Sequence, residues 1–332
     1  MTRWIVGLLA LAVLGLSSAA VAQERPVRVL YLSQSVGFVH ETVRRPPGGL
    51  APSELALQAM AADSGAFSVE LTQDAREITP QRLADIDVLM VSTTGALPID
   101  RATWRAIVRW IESGRGGFVG VHSAADTALA FDGGEAAYVD LVGGKFDGHP
   151  WTEGTPIRLA NLEPDHPLAA MWPDGTDYAE EIYQYSGFRP ERVRVLQTLD
   201  MAAGPLRRPY PVPVTWVRQV GQGRLFYTNL GHTLSTWDDP RFRAQIVAAI
   251  RWTGRRTEAP TEPNLPVQDQ AAIDAFTASQ GEPPAWEPAD AAHAIRGLQP
   301  LYADEGPEAE ANRAPAVTAI GARLRTMRVR ID

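Results

Sequence analysis

The stretch Gly116-Gly117-Phe118-Val119-Gly120-Val121-His122-Ser123-Ala124-Ala125-Asp126-Thr127 carries the densest chemistry in the chain. An apolar run of strand type, Phe118 to Val121, breaks into a polar cluster led by a histidine. In open parallel sheets, ligands bind in the crevice beyond the carboxyl ends of the strands. Five of the six histidines lie in the core domain: His40, His122, His149, His166 and His232. All but His166 sit beside a glycine or at an expected strand end. Parallel strands gather their C-terminal loops on one rim, so His40, His122, His149 and His232 are expected to converge. Imidazoles joined by a carboxylate suit a divalent ion such as zinc, and equally general acid–base work near neutral pH. No pair has a local ligand spacing such as H-x-x-x-H, so turn-capping histidines remain the alternative. Asp126 is placed to orient His122 or to cap the next helix. His166, in Pro164-Asp165-His166-Pro167, reads as a structural turn residue.

Other chemistries fit less well. Adjacent Ser123 and His122 do not face each other, and the G-x-S-x-G elbow is absent, which argues against a serine hydrolase. Gly143-Gly144 lacks a P-loop or G-x-G-x-x-G context, so no nucleotide cofactor is expected. Trp151, Trp216 and Trp237 lie near the histidines in sequence. Aromatic faces pack against sugar rings but also fill cores; Trp216 and Trp237 are the candidates for substrate binding.

Several segments recur in the order of one family: Gly37-Phe38-Val39-His40, Leu141 to Pro150, Asp165-His166-Pro167, Glu180-Glu181-Ile182-Tyr183, and Gly223 to Thr233. The ordered set, over about residues 27 to 254, resembles the ThuA-like family, named for trehalose utilisation. The resemblance implies a fold like that of class I glutamine amidotransferases, with His122 in the region of their cysteine nucleophile. It adds Glu181 as a pocket carboxylate and catalytic candidate beside His122, His232 and Asp126. Tyr183 then joins His40 as a substrate-binding candidate, because residues two apart on a strand share a face. Ser235 stands where the family often has an acidic residue, which places an unchanged mechanism in doubt.

The elements that must position these residues are legible. Val27 to Leu32, Phe67 to Leu71 and Val88 to Ser92 read as buried strands. Ser53 to Ala62 has helical composition, and Pro80 opens a second helix. Asp100 caps a third, with Trp104, Ile107, Val108 and Ile111 on one face. Strands alternating with helices predict an α/β fold, a mostly parallel, doubly wound sheet with helices on both faces. The second half is irregular and strand-rich: Pro156 to Leu159, Val193 to Leu199, Val212 to Val217 and Arg224 to Asn229. Pro240 to Trp252 forms a last helix, capped by Asp239.

The chain has 332 residues, 45% hydrophobic and 21% charged, with a net charge of −8. The acidic balance argues against nucleic acid and anionic membranes as partners; a small carbohydrate is the expected ligand. There is no cysteine, which excludes thiol nucleophiles, disulfides and glutaminase chemistry. Residues 1–22 read as a signal peptide: Arg3, an apolar run from Trp4 to Leu16, and an Ala20-Val21-Ala22 cleavage site leaving Gln23 first. That run is shorter than the roughly 20 apolar residues of a membrane span, so an exported, periplasmic or secreted protein is expected. Residues 23–254 are expected to form the ThuA-like domain. Nine prolines between Pro260 and Pro315 make 255–332 read as a linker or tail. Within it, Asp269 to Ala278 is a candidate short helix, and amphipathic Thr318 to Arg330 a segment able to dock. Two functions follow: an enzyme of glycoside or 3-keto-sugar catabolism (lyase, hydratase, hydrolase or isomerase), or a non-catalytic carbohydrate-binding or scaffold protein on the same fold.

Overall fold

The structure, a computed structural model, describes residues 25–302 except 282, 285 and 286. The leader and the Thr318 to Arg330 segment lie outside the described residues. Nine strands form the main sheet: β1 (Val27–Leu32), β2 (Phe67–Thr72), β3 (Val88–Val91), β4 (Gly117–Val121), β5 (Pro156–Asn161), β6 (Thr176–Ala179), β7 (Arg194–Leu199), β8 (Pro213–Val220) and β9 (Gly223–Thr228). Their spatial order is β2-β1-β3-β4-β9-β8-β7-β5-β6. The pairings from β2 through β9 are parallel. From β9 onward every pairing is antiparallel. The expected α/β architecture is therefore present, with the irregular second half resolved as an antiparallel wing. Sequence reading passed over β6, whose Thr-Asp-Tyr-Ala composition forms an edge strand with little apolar signal.

Among the described residues eight helices cover the sheet: α1 (Pro52–Ser64), α2 (Pro80–Asp85), α3 (Arg101–Glu112), α4 (Gly134–Val142), α5 (Leu234–Asp238), α6 (Pro240–Thr253), α7 (Leu265–Gln280) and α8 (Pro288–Arg296). Successive strand residues alternate between the two faces. Val29 and Tyr31 join α1 and α6 in one core layer, while Leu30 and Leu32 join α2, α3 and α4 in the other. β3 and β4 are buried along their whole length, as strands covered on both faces must be. The expected caps form: Asp100 accepts from the Thr103 N–H at 2.7 Å, and Asp239 from the Arg241 N–H at 2.7 Å.

The proline-rich segment departs from expectation. Within a stretch read as linker or tail with short helices such as Asp269 to Ala278, Leu265–Gln280 and Pro288–Arg296 form α7 and α8. Ala272, Phe276, Ala291, Ile295 and Leu298 are buried in the same core layer as α1 and α6. Pro266 and Pro288 sit in first helical turns, where a missing N–H costs nothing. Proline content here marks helix starts, not disorder. Asn264 extends β7: its Oδ1 accepts from the Val195 N–H at 3.0 Å and its Nδ2 donates to the Val195 carbonyl at 2.8 Å. His166 is structural, as expected. It accepts from the Leu168 N–H through Nδ1 at 3.2 Å and donates through Nε2 to the Pro260 carbonyl at 3.0 Å. The tail segment is thus fixed from its first residues.

Truncation after Gly254 removes the burial of Phe276, Ile295 and Leu298, on the order of 5 kcal/mol. The expected result is a thermal midpoint lowered by roughly 10–20 °C or an aggregating product. An unchanged cooperative melt of the truncated protein contradicts this packing.

Candidate metal centre

The sheet delivers three histidines from the carboxyl ends of parallel strands. His40 follows β1, His122 directly follows β4, and His232 lies beyond the end of β9. Glu181 follows β6 on an extended segment that pairs with the chain carrying His149. The Ile182 N–H donates to the Trp151 carbonyl at 2.9 Å, and the Gln184 N–H to the Gly148 carbonyl at 3.0 Å. Alternation along this segment sets what each side chain reaches. Glu181 and Tyr183 point into the cluster; Glu180 and Gln184 point away from it, into supporting contacts.

His122 opens a 3-10 turn over His122–Asp126 with φ +44°. A non-glycine residue in this region is strained, and such strain concentrates at functional sites. Two contacts hold the turn. The Tyr227 hydroxyl donates to the His122 carbonyl at 2.7 Å, and His122 Nδ1 lies 2.7 Å from the Asn229 carbonyl. A carbonyl only accepts, so Nδ1 carries a proton and Nε2 faces the site, with its lone pair there whenever the ring is neutral. Donation of the second ring nitrogen to a carbonyl is the usual support of a metal-binding histidine. Asn229 also receives the Tyr183 N–H at 3.1 Å and donates to the Tyr183 carbonyl at 2.9 Å, locking the two strands' loops together.

His232 is held from beneath by Glu180, whose side chain is fully buried. Glu180 accepts from the Gly231 N–H at 3.1 Å, the Thr233 N–H at 3.0 Å and the Thr236 hydroxyl at 2.6 Å. Gly231 adopts φ +118°, and a Cβ there would lie 2.8 Å from Val121, so only glycine lets the loop approach β4.

These supports bring three donor atoms together. His122 Nε2 lies 3.4 Å from Glu181 Oε1, His232 Nδ1 lies 3.1 Å from the same oxygen, and the two nitrogens are 3.2 Å apart. Ligands bound tetrahedrally at 2.0–2.1 Å stand about 3.3 Å from one another, which matches all three edges. His40 completes the group, with the four donor atoms all within 4.8 Å of one another. The Tyr183 hydroxyl lies 3.2 Å from His40 Nε2, and the buried Nδ1 of His40 has no hydrogen-bond partner among the described residues. Donor types, spacing and that spare nitrogen all fit a divalent ion.

Electrostatics agree. Burial, followed by the repulsion of His122 and His232, lowers His40 to about 3, so it is neutral at physiological pH. Burial disfavours charge on Glu181 and His232 as well, but hydrogen bonds with His122 and His232 outweigh it on Glu181, which is held well below the usual carboxylate range, and the hydrogen bond to Glu181 outweighs it on His232, which is raised.

The sequence-derived candidates sort accordingly. His40, His122, Glu181, His232 and Tyr183 meet, with the Tyr183 ring 4.3 Å from that of His122. His149 stands at the rim, its Nδ1 3.9 Å from Glu181 Oε2; the group of four close donors is completed by Glu181, and His149 lies outside it. Asp126 neither orients His122, which the Asn229 carbonyl does, nor caps a helix; it ends the 3-10 turn, half-buried, with its carboxyl raised by burial. Trp216 and Trp237 are corrected from substrate contacts to buried core. Trp216 stacks on Tyr227 at 4.2 Å and donates to the Val142 carbonyl. Trp237 donates to the Gly231 carbonyl at 3.0 Å and so supports the His232 loop. Ser123 Oγ lies 3.4 Å from Ser92 Oγ, not against an imidazole. Sequence reading missed Glu180 and Asn229, although both lie inside the segments that carry the family resemblance.

Fold and site together define an α/β protein with a three-histidine, one-carboxylate cluster on its sheet rim. The family described as trehalose utilisation, ThuA, matches residues 28–253, and the chain belongs to that family. Two solved structures are similar to it. A ThuA-like protein from Bacteroides uniformis ATCC 8492 has 20% identity and a TM-score of 0.54, over 71% of this chain and 94% of that one. A ThuA-like protein from Parabacteroides merdae ATCC 43184 has 15% identity and a TM-score of 0.53, over 72% and 94%. At these identities the likeness speaks for the fold. No curated protein matches the chain.

Replacing His122 by glycine relieves the φ strain and removes a donor. The expected outcome is a retained cooperative thermal transition, the lost burial of the ring being partly offset by the relieved strain, with divalent-ion binding weakened at least tenfold by titration calorimetry. Unchanged ion affinity contradicts the assignment of His122 as a ligand.

Proposed function

We propose that this is an exported enzyme acting on glycosides or oxidised (3-keto) sugars, with a divalent ion, zinc by donor type, held by His40, His122, Glu181 and His232. The observation that carries the reading is the triangle of His122 Nε2, His232 Nδ1 and Glu181 Oε1, with edges of 3.1–3.4 Å. Membership of a family described by trehalose utilisation supports a glycoside as substrate. When bound, such an ion supplies Lewis acidity toward a carbonyl or enolate oxygen.

The chain's own groups carry the proton chemistry. A ketone acidifies the neighbouring C–H. His149, 43% exposed at the rim, is the group free to take that proton from a bound sugar and return it elsewhere on the ring. Glu181 holds the imidazoles in register and keeps negative charge beside them. Tyr183 fixes His40, and Asn229 fixes the tautomer of His122. Return of the proton to another carbon of the enolate isomerises the sugar; its transfer to the glycosidic oxygen as that C–O bond breaks releases the alcohol by elimination and leaves a ring double bond, across which water adds in a hydration. The leader, with cleavage expected before Gln23, supports export.

The test joins elemental analysis of the purified mature protein to turnover of a 3-keto-glycoside. About one equivalent of a first-row divalent ion is expected, absent from Glu181→Gln. His149→Ala is expected to keep the ion and lose roughly 100-fold in kcat. N-terminal sequencing of the same material is expected to start at Gln23. Turnover retained by ion-free Glu181→Gln contradicts the part given to the ion, and sugar binding without turnover in the parent contradicts the enzyme reading and favours a carbohydrate-binding protein instead.

A further inference from the structure

With Trp216 and Trp237 buried, the aromatic face at the mouth of the site belongs to another residue. Phe38 is 66% exposed, the most exposed of the large hydrophobic side chains among the described residues. Its ring centroid lies 4.8 Å from that of His40, nearly perpendicular to it. The ring therefore stands directly beside the cluster. Its backbone is pinned on both sides. The Thr94 hydroxyl donates to the Phe38 carbonyl at 2.7 Å, the Val36 N–H to the Thr94 carbonyl at 2.8 Å, and Arg44 to the Val39 carbonyl at 3.0 Å. Gly37, at φ +114°, makes the bend that turns the side chain outward. A phenyl ring so anchored, in water, beside histidines and a carboxylate, is displayed rather than left over.

The geometry points to Phe38 as a stacking platform for the pyranose ring of the substrate, a binding subsite at the mouth of the metal centre. A pyranose has one face of C–H bonds and a rim of hydroxyls. The C–H face covers the phenyl, while His149, Glu153 (3.8 Å from His232 Nε2) and Glu181 meet the hydroxyl rim. This mixture of one apolar face and several charged groups suits a small amphipathic ring. A protein partner fits it worse, because interface cores are depleted of charge. The inference rests on the sugar reading given above.

The test measures binding of trehalose and its 3-keto derivative by titration calorimetry to the parent, Phe38→Ala and Phe38→Tyr, all with equal metal content. Phe38→Ala is expected to raise Kd on the order of tenfold. Its thermal midpoint should stay within about 2 °C of the parent, since an exposed ring adds little to the core. Phe38→Tyr, which keeps the face, is expected to restore Kd to within about threefold. Parent binding with Phe38→Ala equal to it overturns the platform and leaves the sugar reading standing. Absence of binding by the parent overturns both. A dimeric parent that Phe38→Ala turns monomeric, by analytical ultracentrifugation, also overturns the platform, because a second copy then covers the ring.

Discussion

One carboxylate oxygen organises the rim of this sheet. Glu181 Oε1 faces two imidazole nitrogens at 3.1 and 3.4 Å in a pocket where most of the surrounding atoms are buried. With Nδ1 of His122 committed to a carbonyl, its Nε2 faces that oxygen. An imidazole nitrogen and a carboxylate oxygen at this distance require positive charge between or beside them, either a proton on one of the imidazoles or a metal ion. A buried group of this kind is costly unless it is satisfied. The surroundings are built to keep it in place: a strained turn at His122, a buried carboxylate beneath His232, and an asparagine tying β9's loop to the Glu181 strand.

The consecutive acids Glu180 and Glu181 show how a strand divides labour. Their side chains leave opposite faces of one extended segment. Glu181 enters the cluster, and Glu180 satisfies backbone N–H groups of the loop that carries His232. Gln184, three residues on from Glu181, joins the C-terminal extension to the domain: its Nε2 donates to the Tyr302 carbonyl at 3.0 Å, and its Oε1 accepts from Tyr210, in the loop before β8, at 2.7 Å. The helical extension thus buttresses the segment that supplies two of the site residues. This gives the proline-rich region a structural part in the site as well as in the core.

How much of this was legible depended on what kind of signal each feature leaves. β1 has the bounds its apolar run predicts, and the expected helix caps are present, because strand burial and capping act locally. His122 and His232 were legible as strand-end polar residues in a parallel sheet. Glu181, by contrast, came from a resemblance to a family, since nothing in Glu-Glu tells which acid faces inward. The partner of His122 is a backbone carbonyl 107 residues away, and a carbonyl leaves no trace in residue type. Trp216 and Trp237 were misread because indoles serve cores and ligands alike, and only burial separates the two uses. Phe38 is the converse case: its exposure, invisible in sequence, is what gives it meaning. The tail was misread because proline serves disorder and helix starts equally well.

The central claim is that the triangle of donors is a metal site. Crystals of the mature protein grown with zinc, measured above and below the zinc absorption edge, test it most directly. The account predicts one anomalous peak at about 2.0–2.1 Å from His122 Nε2, His232 Nδ1 and Glu181 Oε1. No peak there, with the donors still in contact through a protonated His232, contradicts it.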